Sequence, residues 1–213
     1  MAFINEEKKE ICAKILYLGA RKSGKTSNLR SLLTQTTQEL SSGTHTLSLE
    51  EDNTSYFEFL PLSIGKIGGY EIKLHLYAFE LDHPFVSFRK FIMSGVDGFV
   101  FIVDSSMERL IANKDCLKLA RFYFREEGYL ISELPHVVQF NKRDEKNLIS
   151  SEALSKEFNL FDAPEIEAVA TQGQGTMETL EIITRQLVDK IVPGYSLTFT
   201  KTDETSHAFE AKF

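Results

Sequence analysis

The chain predicts an α/β fold, a mostly parallel sheet of six strands flanked by helices, and three observations lead there. Strand-like and helix-like stretches alternate along most of its length. A glycine-rich turn, Gly19-Ala20-Arg21-Lys22-Ser23-Gly24-Lys25-Thr26, stands between an apolar run and a helical run. A second polar motif, Asn141-Lys142-Arg143-Asp144, follows directly on another apolar run.

Taken in order, residues 11–18 are apolar and β-prone enough for a buried strand. Residues 26–33 read as a helix. Residues 34–55 are rich in Thr, Ser, Gln and Glu, and read as a polar connection. Residues 56–62 and 70–77 are strand-like, and Gly68-Gly69 between them marks a hairpin turn. A short helix follows over 86–93, then a buried strand over 98–104 that ends on the polar Asp104. Residues 110–128 carry helical periodicity, and 136–140 form another strand. A short helix over 151–159, a strand over 166–170 and a helix over 177–191 complete the domain. Pro193-Gly194 ends it. The domain is thus expected over 1–192. From Tyr195 the pattern fails, so 193–213 is expected to be a flexible tail. The alternative is a tail that docks through Phe209 and Phe213.

Composition narrows the class. The chain has 213 residues, 42% hydrophobic and 26% charged, as a soluble globular domain would. A net charge of -7 argues against nucleic acid as a partner. No apolar run is long enough to span a bilayer, and the start does not read as a signal peptide, so membrane insertion is not expected. Cys12 and Cys116 both fall in apolar stretches, as reduced core residues of a cytoplasmic protein would.

The first motif fits G-x-x-x-x-G-K-[ST], a phosphate-binding loop. Backbone N–H groups of such a turn, and of the helix N-terminus behind it (here Thr26 and Ser27), point inward and cradle phosphate oxygens. Lys25 would reach the outer phosphates and the Thr26 hydroxyl would hold Mg²⁺. The second motif selects the base. The Asp144 carboxylate can accept both donors of the guanine edge, for which adenine has no matching pair. Asn141 would brace the base and the phosphate loop, and the Lys142 stem would cover the base face. Backbone N–H groups around Val169 and Ala170 are candidates to meet the guanine carbonyl. GTP or GDP with Mg²⁺ is the expected ligand.

The chain resembles the MglA-type bacterial small GTPases, Ras-like proteins that set cell polarity and control gliding or pilus-driven motility. The resemblance rests on Phe57-Glu58-Phe59-Leu60-Pro61-Leu62-Ser63, His75-Leu76-Tyr77, Arg89-Lys90, Gly95-Val96-Asp97-Gly98, Glu127-Gly128-Tyr129 and Asn141-Lys142-Arg143-Asp144. It runs from the first residue to about Ile191. It implies that Thr54 is the switch-one threonine that holds Mg²⁺ and senses the γ-phosphate. It also implies partners: a response-regulator-like polarity protein, a roadblock-type MglB activator, and TPR-containing or motility-machinery effectors. With them comes a cytoplasmic protein brought to a cell pole by its partners.

Against that pattern the chain departs in one direction. Arg21 stands where the crowded family position carries Gly. Leu81 stands at the Gly whose N–H meets the γ-phosphate, and Asp82 at the water-orienting Gln. Asn53 matches the family's internal arginine finger. A finger alone is worth roughly three to five powers of ten in rate. Two readings follow. One is a regulatory scaffold on a Ras-like fold with hydrolysis impaired, or nucleotide binding itself impaired. The other is a working switch that hydrolyses GTP with replacement residues or with a partner's help.

Overall fold

The computed structural model describes residues 3–36, 57–82, 86–191, 196–202 and 206–212. The chain opens with β1 (Phe3–Asn5) and β2 (Glu10–Gly19), turns through the glycine-rich loop, and enters α1 (Lys25–Thr36). Next come β3 (Phe57–Ile67), β4 (Tyr70–Phe79), α2 (Val86–Met93), β5 (Gly98–Asp104) and α3 (Leu110–Glu126). The domain closes with β6 (His136–Asn141), α4 (Ser151–Phe158), β7 (Glu165–Glu167) and α5 (Thr176–Ile191). Beyond it lie β8 (Ser196–Thr202) and β9 (Ser206–Lys212).

The strands lie in the order β3-β4-β2-β5-β6-β7. All are parallel except β3, which folds back on β4 through the expected turn at Gly68 and Gly69. This is the six-stranded path that the sequence predicts. A seventh strand, β1, adds to it antiparallel, with Phe3 opposite Cys12. It lies along the first half of β2, where β5 has not yet begun, since β5 joins β2 only from Ile15 opposite Gly98. Three residues are too few for a periodicity to announce them.

Alternation along β2 divides the core. Ile15 and Tyr17 face α1 and α5, with Leu29, Leu32, Leu180 and Ile183. Leu16 and Leu18 face α2, α3 and α4, with Ile92, Met93, Ala120, Phe124 and Leu154. A strand buried on both faces reads as the continuous apolar run seen in the sequence. One buried polar cluster ties this arrangement together. The Gln139 amide exchanges hydrogen bonds with Asn28 of α1 at 2.9 Å each way, and donates to Thr179 of α5 at 2.9 Å. Every partner is satisfied, so burial costs these groups little.

Two stretches differ from their expected form. The strand expected over 166–170 ends at Glu167, and Ala170–Gln172 closes as a tight helical turn. Val169 and Gln174 bond to each other there, which bends the chain away from the sheet. Past α5, where no periodicity signals an element, β8 and β9 form an antiparallel hairpin with Phe199 opposite Phe209. β9 runs beside β3 and α1.

Candidate functional site

β2, β5 and β6 are parallel, so their C-terminal ends open on one edge of the sheet. The chain order reverses about β2, with β4 on one side and β5 on the other. A crevice at such a reversal is where open α/β sheets bind ligands. Both sequence motifs hang from this edge. The glycine-rich loop leaves β2, and Asn141 ends β6.

Side chains lock the two motifs together. Asn141 Nδ2 donates to the Ser23 carbonyl at 2.8 Å. Its Oδ1 accepts the Ala170 amide at 3.0 Å. Asn141 therefore ties the glycine-rich loop to the 170–172 turn. Two glycines make the close approach feasible. A Cβ on Gly24, whose φ is +107°, would stand 2.0 Å from Asn141 Nδ2. A Cβ on Gly19 would stand 2.4 Å from the Ile102 carbonyl.

Within the loop, Lys25 is 7% exposed, and its ammonium donates to the Gly19 and Ala20 carbonyls at 3.0 Å each. Burial lowers its pKa, opposed by nearby Cys116, Glu80, Asp82 and Glu58. The Cys116 thiol is itself pushed up to about 12, chiefly by burial, so it stays neutral and the opposing charge is that of the three carboxylates. The Gly24, Lys25 and Thr26 amides have no acceptor among the described residues, and the buried Ser23 hydroxyl has no partner among them. Open donors around a loop that a single Cβ would block are what an anion such as a nucleotide phosphate fits. Thr26 is half-buried at the start of α1, as a magnesium-holding hydroxyl would be. Among the described residues no group of three or more His, Cys, Asp or Glu could hold a metal. Thr54 and Asn53 lie outside the described residues.

At the base side, Asp144 is exposed, with no partner among the described residues for its carboxylate. Lys142 is half-buried, and its ammonium is held 2.7 Å from Asp104. The Val169 and Ala170 amides are not open. Val169 N–H donates to the Gln174 carbonyl at 3.1 Å and Ala170 N–H to Asn141. Of the amides around these two residues, the Thr171 amide has no acceptor among the described residues.

The departures in the phosphate loop and the second switch also take definite places. Arg21 is exposed, and its Nε lies 3.6 Å from Glu80. Both groups are well solvated, so the pair is worth about 0–1 kcal/mol. Leu81 is 2% exposed and joins the apolar cluster of Leu16, Leu18, Phe79, Ile92 and Met93. Asp82 is exposed. Sequence reasoning missed two residues at this edge. Asp104 showed only as a polar end to an apolar strand. Arg109, which donates to the Arg21 carbonyl, gave no signal.

No family model matches the chain. Among curated proteins it is 39% identical over 194 residues to the mutual gliding-motility protein MglA of Myxococcus xanthus (strain DK1622), a match that covers 91% of this chain and all of that protein.

Proposed function

Since the chain belongs to the MglA-type Ras-like small GTPases, we propose that it regulates cell polarity and gliding motility through partner binding, with its own GTP hydrolysis impaired. The observation that carries this reading is the burial of Leu81. A switch needs contacts that differ between its two states. In the family pattern a Gly at this position turns its N–H to the γ-phosphate. Here the residue is held in the core by a Leu side chain, whose burial contributes about 1.5–3 kcal/mol. Moving the segment toward a γ-phosphate would expose that side chain, a cost the family's Gly does not carry. Beside Leu81 in the chain, Glu80 pairs with Arg21 of the glycine-rich loop at 3.6 Å.

In this reading the domain is 1–192, with residues 193–213 as an appendage. Guanine nucleotide sits on residues 19–27 with Mg²⁺ on Thr26 and Thr54. Asn141, Lys142 and Asp144 hold the base, together with the 169–171 turn. Docking partners are response-regulator-like polarity proteins, a roadblock-type activator of the MglB kind and TPR-containing or motility-machinery effectors. They meet the β3–β4 hairpin and the altered second switch. Among the described residues no helix is long and apolar enough to cross a membrane. A cytoplasmic protein drawn to a cell pole by its partners fits the reading.

The test is nucleotide content, affinity and turnover of the purified protein. Denaturation and chromatography identify what is retained; titration of labelled GTP, GDP and ATP gives affinities; a single-turnover assay gives hydrolysis. Expected are guanine over adenine selectivity and hydrolysis no faster than the unassisted Ras level of roughly 10⁻⁴ s⁻¹. Faster turnover, alone or with a roadblock-type activator, would replace the proposal with a working switch. No binding of any nucleotide would leave a protein that acts by its surface alone.

A further inference from the structure

A second bridge joins the base motif to the phosphate loop, and it is made of charge. Asp104, at the end of β5, is fully buried at 0% exposure. Its Oδ2 lies 2.7 Å from the Lys142 ammonium and 3.8 Å from Arg109 Nε. Its Oδ1 accepts the Ser106 amide at 3.1 Å and the Ser106 hydroxyl at 2.8 Å. Asn113 of α3 clasps the backbone of Asp104 from both sides, donating to its carbonyl at 2.8 Å and accepting its amide at 3.2 Å. The carboxylate is thus fixed in place, with two cations sharing one oxygen.

Arg109 uses the rest of its fork on the phosphate loop. Its Nη2 donates to the Arg21 carbonyl. The consequence follows from the planar trans peptide, in which the carbonyl of one residue and the N–H of the next point in opposite directions. With the Arg21 carbonyl turned out to Arg109, the Lys22 amide is turned the other way. Lys22 has a φ of +63°, a left-handed conformation that a residue with a side chain holds only under constraint. A left-handed residue in such a turn forms the concave row of N–H groups that binds anions.

We infer that Arg109 is a positioning residue: it locks the Arg21–Lys22 peptide with the Lys22 amide facing the phosphate site, and Asp104 makes that lock depend on Lys142 of the base motif. The assignment rests on the nucleotide-binding reading above for its purpose, though not for its geometry. It demands a guanidinium. One nitrogen reaches the Asp104 carboxylate and another the Arg21 carbonyl, and a lysine offers a single nitrogen for both.

The experiment compares wild type with Arg109→Met, Arg109→Lys, Asp104→Asn and the Asp104→Asn/Arg109→Met double variant, each checked for folding by circular dichroism. Two readouts are taken: release of fluorescent GDP, and amide hydrogen exchange of the 19–24 loop in nucleotide-free protein. Expected are about tenfold faster GDP release and about tenfold faster loop exchange in each single variant. The lysine variant should give no rescue, and the double variant should be no worse than Arg109→Met, since the residues act as one unit. The hydrogen bonds and ion pairs of Asp104 go to Ser106, Arg109, Asn113 and Lys142 and none to the loop, so faster loop exchange in Asp104→Asn would have to pass through those partners. Loop exchange at the wild-type rate in Arg109→Met would overturn the lock. A fast loop in Arg109→Met with a wild-type loop in Asp104→Asn would overturn the relay, as would full rescue by lysine. Arg109 is partly exposed, so its variants decide the question should Asp104→Asn fail to fold. Absence of GDP binding in wild type would sink the nucleotide reading alone, and the exchange measurement would still decide the lock.

Discussion

Restoring the family glycine at position 81 should damage this protein rather than repair it. Leu81 is 2% exposed, packed in the cluster with Phe79, Ile92 and Met93. Removing a buried Leu side chain costs about 2–5 kcal/mol when the site cannot collapse. Glycine adds about 0.5–1 kcal/mol of backbone entropy relative to alanine. The expected loss for Leu81→Gly is therefore about 2.5–6 kcal/mol, a large share of the roughly 5–15 kcal/mol that holds a domain together. In a chain of this size each kcal/mol moves the melting temperature by about 2–4 °C, so the drop should be about 5–24 °C. Calorimetry and urea unfolding of wild type and variant, free of nucleotide, measure it. A variant within about 1 kcal/mol of wild type would refute the argument, because the segment would then be free to leave the core and act as a switch. Any attempt to rebuild hydrolysis with glycine at 21 and 81 and glutamine at 82 should begin from a stabilised background.

Two further outcomes are expected. Gly24→Ala puts a Cβ 2.0 Å from Asn141 Nδ2 at a φ of +107°, so the bond from Asn141 to Ser23 must break. GDP affinity should fall at least about tenfold, roughly 1.4 kcal/mol, and a titration within twofold of wild type would contradict the brace. For pH, burial is the main cause that lowers the pKa of His75 and of His136 from 6.5. Below 6.5 the unfolded chain then binds more protons than the folded one, so stability is full above 6.5 and is lost as pH falls through the folded values. The urea midpoint should drop between pH 7 and pH 5.5, and His136→Phe, which keeps the stack on Phe99 at 4.8 Å, should flatten the slope. An unchanged slope would show that His136 does not contribute.

What could be read from the sequence alone was whatever short spacing controls. A glycine-rich turn between strand and helix, an Asn-Lys-x-Asp at a strand end and alternating apolar runs each depend on neighbours within a few residues. So the six-stranded path, both motifs and the brace at Asn141 were legible, as was the family. Tertiary structure decided what depends on residues distant in the chain. Leu81 reads in sequence as a lost switch glycine, and only the packing of α2 and β2 against it shows a core residue. The amides of Val169 and Ala170 look open until Gln174 and Asn141 are seen to take them. Asp104 and Arg109 flank the turn between β5 and α3 while Lys142 follows β6, and no local pattern announces that one buried carboxylate would hold both cations. Local propensity and spacing set which elements form. The pairing of buried charges and the filling of a core are settled only where the elements meet, because water is excluded there and each group must find its partner among distant residues.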